Sequence, residues 1–102
     1  MHYKLSISGA VGLEAKSLSV NTDARVWIEG GQGSTSKSKE VSGGTGGAPV
    51  KINSFTRSTK YSTTFVGGNG GKNSAGGSGG SGYKFTSAEK YSGVTYYDGA
   101  NG

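Results

Sequence analysis

The sequence predicts an all-β chain, folded as an antiparallel β-sandwich of the jelly-roll or lectin-like kind with about seven or eight short strands. Apolar and polar residues alternate with period two through most of the chain, as expected of half-buried strands. Glycine, at 21 of 102 residues, and β-branched residues interrupt every window long enough for a helix. Because the chain has no cysteine, a small core must form by regular packing alone. Residues 1–102 are therefore expected to form a single domain.

The strands are predicted where the alternation is clearest. These segments are residues 2–8, 17–20, 24–29, 50–53, 61–65, 83–85 and 94–97. Two packed sheets would bury one face of each strand, with a small closed barrel as the competing arrangement. The predicted buried residues are Leu5, Ile7, Leu18, Val20, Val26, Ile28, Val50, Ile52, Phe65, Phe85 and Val94. One capped helical turn is expected within residues 86–91.

Glycine-rich segments are expected to connect the strands. Short ones occupy residues 30–34 and 43–47, and a sixteen-residue tract covers 67–82. Loops of that length are usually disordered or functional. The tract is thus either a flexible hairpin loop or a loop whose exposed amides let a ligand come close.

The sequence contains few of the residues that catalysis or metal binding requires. The only histidine, His2, lies at the N-terminus, so an acid–base mechanism built on histidine is not expected. The six carboxylates are dispersed, although folding could still bring two together as in glycoside hydrolysis. Asp23 with Asn21, or Asp98 with Asn101, would make at most a weak cation site. We predict no enzymatic activity, no dedicated metal and no cofactor.

The formal net charge is +5, but the lysines are scattered evenly. Even scatter is typical of a solvated surface that resists aggregation, whereas a polyanion site usually contains a basic run. The chain has no apolar run long enough to span a membrane and no apolar stretch typical of a signal peptide. The expected location is therefore cytoplasmic, or outside the cell after release by a non-classical route, without membrane insertion.

Aromatic and amide groups are the remaining candidates for function. Trp27 shares its strand face with charged neighbours, so its indole is expected to point away from the core. The C-terminal stretch gathers Tyr97, Asp98, Gly99 and Asn101. Rings can stack on the apolar face of a sugar, while carboxylate and amide groups bind its hydroxyls. The same C-terminal residues also suit an ordinary turn.

A small, cysteine-free, Gly/Ser/Thr-rich β chain of this kind resembles the compact haemagglutinins of slime moulds and fungi, with a fold similar to a minimal legume-type lectin. The resemblance implies a sugar site built from Asp98, Gly99, Asn101 and Tyr97, with Asn69 as a second amide. It covers the general character of the chain, and the calcium and manganese ligands of legume-type lectins are not found here. It implies a lectin without catalysis that binds glycans or glycoproteins and forms homo-oligomers to agglutinate.

Two alternative functions remain open from sequence. A single-stranded nucleic-acid binder would use the basic charge and exposed rings, although the scattered lysines do not favour it. A structural subunit of a coat or fibre would assemble through its sheet edges.

Overall fold

The computed structural model describes residues 6–102, and this part of the chain is all-β with seven short strands. The strands are β1 (Leu13–Glu14), β2 (Ser17–Val20), β3 (Val26–Glu29), β4 (Val50–Lys51), β5 (Ser54–Arg57), β6 (Thr63–Val66) and β7 (Val94–Tyr97). The all-β class and the number of strands are confirmed. His2 and Leu5 lie outside the described residues, as does most of the strand predicted at 2–8.

The strands form three small sheets, and every described pair is parallel. β1 pairs with β4, β2 pairs with β5, and β3, β6 and β7 form a three-stranded sheet with β6 in the centre. The predicted antiparallel pairing is therefore wrong for these strands. Paired strands lie far apart in the chain: they are offset by 37 residues, as Val26 opposite Thr63 illustrates, or by 31 residues in the β6–β7 pair.

The glycine-rich segments form a second kind of regular structure, which we call the glycine bundle. Its six described segments are residues 6–12, 30–36, 43–49, 67–73, 78–83 and 98–102. Consecutive segments run antiparallel and are joined by main-chain hydrogen bonds at every third residue. Gly68 N donates to Gly47 O at 2.9 Å, and Gly71 N donates to Gly44 O at 2.8 Å. A spacing of three matches an extended helix with three residues per turn.

Parallel hydrogen bonds hold the same segments together in the other direction. Gly9 N donates to Thr45 O at 2.7 Å, and Gly33 N donates to Asn69 O at 2.9 Å. The bundle therefore has two layers of three segments each, with parallel neighbours within a layer and antiparallel neighbours across the layers. Main-chain hydrogen bonds join these layers, in place of the side-chain core that separates the sheets of a β-sandwich by about 10 Å.

Glycine is required in the bundle because the backbones approach too closely for a side chain. A Cβ atom added at Gly46 would overlap with the carbonyl oxygen of Gly68. That oxygen cannot easily move, since it accepts the N–H of Tyr83 at 2.9 Å. The same crowding around a threefold axis makes glycine obligatory in collagen.

This arrangement corrects two expectations. The tract at 67–82 is not one long hairpin loop: it supplies two hydrogen-bonded bundle segments and the turn between them. Ile7, predicted to be buried, is 64% exposed. Its segment follows a threefold period, so the period-two alternation that assigned Ile7 to an inner face does not apply there.

The apolar core lies among the strands, at the end of the bundle that we call the sheet end. Phe65 on β6 is fully buried, and Val20 is 4% exposed, as predicted. Phe65 packs edge-to-face against Phe55 and Tyr96, with ring centroids 5.8 and 5.7 Å apart. Of the other predicted core residues that are described, Leu18, Val26, Ile28, Val50, Ile52, Phe85 and Val94 are half-buried.

The predicted capped turn is present as a single 3₁₀ turn, Ser87–Glu89. Thr86 precedes it, and the Thr86 N–H donates to Glu89 Oε1 at 2.6 Å, the reciprocal contact of a capping box. Residues 6–102 contain no helix with the length and hydropathy needed to span a bilayer. The molecule is elongated, 52 × 23 × 22 Å, because the bundle extends away from the sheet end.

Candidate functional site

Trp27 and Tyr97 lie on the outer face of the three-stranded sheet. Trp27 is on β3 and Tyr97 is on β7, the two outer strands, and they are 59% and 54% exposed. Their ring centroids are 6.2 Å apart, with the ring planes tilted by 32°. The sequence prediction that the indole points away from the core is confirmed. The structure also brings together two predicted site residues that are seventy positions apart in sequence. We call this pair the aromatic platform.

The indole of Trp27 is held in place by a hydrogen bond. Trp27 Nε1 donates to Glu29 Oε1 at 2.5 Å, and both side chains lie on the same face because they are two residues apart on a strand. The bond restricts rotation of the indole, so less side-chain freedom is lost when a ligand stacks on the ring.

The platform spans the central strand β6. Trp27 is opposite Thr64 in register, and Tyr97 is opposite Val66. Thr64 is only 6% exposed, so little of the central strand is open to solvent beside the rings. A flat ligand would therefore rest on the two rings themselves.

A shallow groove of about 280 Å³ continues from the platform along the bundle. Glu29, which accepts the hydrogen bond from the indole of Trp27, also lines this groove. The polar side chains of the groove are those of Glu29, Gln32 and Asn69, and its floor is formed by Val66 and glycines. Gln32 and Asn69 are exposed. They occupy the outward-facing positions of Gly-Gly-X-Gly stretches, where the bundle leaves room for a side chain.

The remaining predicted site residues bond to the main chain. Asp98 Oδ1 accepts the N–H of Phe85 at 3.0 Å, and Asn101 Oδ1 accepts that of Gly82 at 3.1 Å. Asn69 Oδ1 accepts the Ala100 N–H at 2.9 Å. Gly99 is buried. Its N–H donates to the carbonyl oxygen of Tyr83 at 2.8 Å, and its own carbonyl accepts a hydrogen bond from Lys84 Nζ at 2.5 Å. These groups fix the last segment against its neighbours, and of this set only Asn69 also lines the groove.

Replacing Asp98 with alanine is expected to lower the free energy of unfolding by about 1 kcal/mol, because the Phe85 N–H loses its acceptor. Asp98→Asn retains an acceptor oxygen and serves as the control. Urea denaturation of the two variants measures the difference. Equal loss in both variants would contradict the assigned hydrogen bond.

A second concave feature, which we call the aromatic cleft, was not predicted from the sequence. It has a volume of about 250 Å³ and lies at the sheet end. Four half-buried rings line it, those of Tyr83, Phe85, Tyr91 and Tyr96, together with Val11, Ala48, Val50, Ile52, Lys51 and Glu89. The density of aromatic residues between 83 and 97 is the sequence signal that could have indicated it.

Glu89 interacts directly with one ring of the cleft. Tyr83 Oη donates to Glu89 Oε2 at 2.5 Å. Burial, the hydrogen bond to Glu89 and the negative charge of Glu89 together raise the pKa of Tyr83 to about 12. Burial is the largest of these causes. Partial burial likewise raises the pKa of Tyr96.

The raised pKa of Tyr83 predicts a loss of stability in alkali. Its value in the unfolded chain is 10.0, so the stabilisation is fully present below pH 10 and is lost as the pH rises towards 12. A titration followed by tyrosinate absorbance should show Tyr83 ionising after the exposed tyrosines. Glu89→Gln should bring the pKa of Tyr83 closer to 10. An unchanged late phase in that variant would contradict the role of Glu89.

Among residues 6–102, no three His, Asp or Glu side chains come together in a group that could hold a metal ion. Comparison of the chain with protein-family models, with curated proteins and with solved structures finds no match, so the lectin resemblance stays a prediction that the residues alone support.

Proposed function

We propose that this protein is a carbohydrate-binding protein of the lectin type, without catalysis, which binds glycans on the aromatic platform and the adjoining groove. The observation that carries the proposal is the pair of exposed rings, Trp27 and Tyr97, whose centroids lie 6.2 Å apart on one face of the sheet. Large aromatic residues usually bury much of their surface. Two large aromatic residues that stay exposed side by side in a small domain therefore suggest a binding surface.

The chemistry of the surroundings favours a hydroxylated ligand. Beside the rings, the groove offers the carboxylate of Glu29 and the amides of Gln32 and Asn69. Carboxylate oxygens accept hydrogen bonds, and amides both accept and donate them. Rings for the apolar face of a sugar thus lie beside hydrogen-bond acceptors and donors. Of the residues that the sequence predicted, Trp27, Tyr97 and Asn69 belong to this set, whereas Asp98, Gly99 and Asn101 do not. Glu29 and Gln32 were not predicted from the sequence.

The groove is shallow, so a single site is expected to bind weakly. Glycan binding on a surface would then depend on several sites acting together. We therefore propose that cell-surface or glycoprotein glycans are the partners and that homo-oligomers or multivalent display provide the avidity.

The test is a glycan array probed at low and high salt, followed by titration of the best saccharide. Trp27 is the only tryptophan, so its fluorescence reports directly on the platform. We expect saturable quenching or a blue shift that changes little with salt. Binding that weakens steeply with salt would instead indicate a nucleic acid. A fluorescence signal that no saccharide changes would overturn the proposal.

A structural subunit of a coat or fibre is the second candidate function. It is favoured by the elongated shape, 52 Å by about 23 Å, and by a bundle that rests on main-chain hydrogen bonds. Such a bundle suits a rod-shaped subunit. Light scattering over a range of concentrations tests this candidate: growth into long assemblies supports it, whereas a small oligomer of fixed size contradicts it.

A further inference from the structure

The aromatic cleft is separate from the platform, and no step of the proposed glycan binding uses it. Tyr96 points to the inner side of β7, whereas Tyr97 points to the outer side, because neighbouring residues of a strand face opposite ways. The burial of the two residues agrees: Tyr96 is half-buried and Tyr97 is exposed. The cleft can therefore bind a different ligand from the platform.

The first observation about its ligand is the number of rings. Phe85 packs between Tyr83 and Tyr96, with centroids 5.1 and 4.8 Å away and ring planes nearly perpendicular. Tyr91 adds a fourth ring to the lining. Perpendicular rings turn their faces in different directions, and the electron-rich face of a ring attracts cations.

The second observation is a carboxylate beside these rings. Glu89 lines the cleft, and its two oxygens accept hydrogen bonds from Thr86 N and Tyr83 Oη. These bonds fix the carboxylate next to the ring of Tyr83. The other charged residue of the lining, Lys51, has its ammonium 3.6 Å from the carboxylate of Glu14, which offsets part of its positive charge.

The third observation is that the chain itself places a cation on one of these rings. The ammonium of Lys90 lies over the ring of Tyr96, 5.8 Å from its centroid. Lys90 does not line the cleft. The contact is within the range of a cation–π interaction.

We propose that the aromatic cleft binds a quaternary ammonium group. Such a cation is attracted by ring faces and a nearby carboxylate but donates no hydrogen bond. A primary ammonium would have to share acceptors that already bond within the chain, at Glu89 and at Tyr96 Oη, which accepts Tyr91 N–H at 2.6 Å. The aliphatic wall of Val11, Val50 and Ile52 suits the methyl groups of a trimethylammonium group.

The experiment titrates the full chain with choline and, separately, with 3,3-dimethylbutan-1-ol, a neutral molecule of the same shape. Ring-proton NMR signals of the tyrosines and phenylalanines report the binding. If charge attraction by the rings and Glu89 drives binding, choline should bind about two- to thirtyfold more tightly than the neutral molecule. Equal affinity of the two molecules, or no ring signal shifted by choline, would overturn the proposal.

Variants localise the binding. Glu89→Gln keeps the shape and removes the charge, so it should reduce the preference for choline, and Tyr91→Leu should weaken choline binding by removing a ring. The control Trp27→Ala should leave choline binding unchanged, which separates this site from the glycan platform. Co-sedimentation with phosphatidylcholine vesicles distinguishes a lipid headgroup from a free small molecule. Choline affinity that is the same in the native, Glu89→Gln and Tyr91→Leu chains would contradict the site.

Discussion

Replacing Gly46 with alanine is expected to lower the free energy of unfolding by about 3 kcal/mol or more, which falls among the largest effects of single substitutions. The added methyl group would overlap with the carbonyl oxygen of Gly68. This oxygen belongs to the next bundle segment, where the N–H of Tyr83 holds it. Relief of the clash would require breaking main-chain hydrogen bonds between the layers. Thermal or urea unfolding followed by circular dichroism measures the loss.

Two control variants separate this close approach from a general effect of removing glycine or adding alanine. Thr45→Ala changes the neighbouring, exposed residue and loses only the hydrogen bond between the Thr45 and Ser8 hydroxyls, so it should cost about 1 kcal/mol or less. Gly76 has a positive φ of 88°, and an added Cβ would meet only Lys39 Cε, at an ordinary contact distance of 3.9 Å, so Gly76→Ala should cost about 1–2 kcal/mol from backbone strain. A Gly46→Ala chain as stable as Thr45→Ala would contradict the bundle.

Replacing Trp27 with alanine is expected to weaken glycan binding at least about tenfold, because a large aromatic surface contributes about 1.5–3 kcal/mol when it is buried. The fold should tolerate the change, since the side chain is 59% exposed and exposed positions usually alter stability little. Calorimetric titration with the saccharide selected by the array gives the affinity, because the variant has no tryptophan fluorescence.

The matched control is Trp27→Phe, which keeps a ring but loses the hydrogen bond to Glu29. Its affinity should lie between that of the native chain and that of Trp27→Ala. Tyr97→Ala should resemble Trp27→Ala, since both rings form the platform. Full glycan binding by Trp27→Ala would remove the platform from the proposed site and leave the groove without its stacking surface.

Alternation predicted most of the strands, because strand residues face alternate sides whatever the strands pair with. β2, β3, β6 and β7 begin within two residues of the predicted segments at 17–20, 24–29, 61–65 and 94–97. β5 was missed because Phe55 stands alone among polar residues. Its ring becomes half-buried only when it meets Phe65 and Tyr91.

The glycine bundle was missed although its signal is present in the sequence. Gly-Gly-X-Gly recurs at 30–33, 43–46 and 67–70, and a repeat of three along the chain is typical of a threefold extended helix. In addition, the stretches at 30–33 and 67–70 each begin six residues after the start of a predicted strand. The two stretches lie 37 residues apart. Because glycine pairs were interpreted only as turns, neither the repeat of three nor the spacing of 37 residues was recognised.

Of the candidate site, the sequence identified its rings but not all of their partners. Trp27 and Tyr97 could be chosen because each is an aromatic residue on the polar side of a strand. Glu29 and Gln32 could not, since their relevance depends on lying beside Asn69 and Val66 in the groove. From sequence alone, Asp98 and Asn101 suit either a ligand site or a turn. In the structure they accept hydrogen bonds from the N–H groups of Phe85 and Gly82, so they anchor the main chain.

By itself, then, the sequence determined the all-β class, most of the strands and the outward direction of Trp27, because those properties depend on the local backbone and on the alternation of side chains. Only the tertiary structure decided that the strands pair in parallel, that glycine segments form the interior of the bundle, and that two distant rings share one face. Pairing and close approach depend on which segments become neighbours in space. That choice depends on contacts between residues far apart in sequence, which the alternation within a single strand does not record.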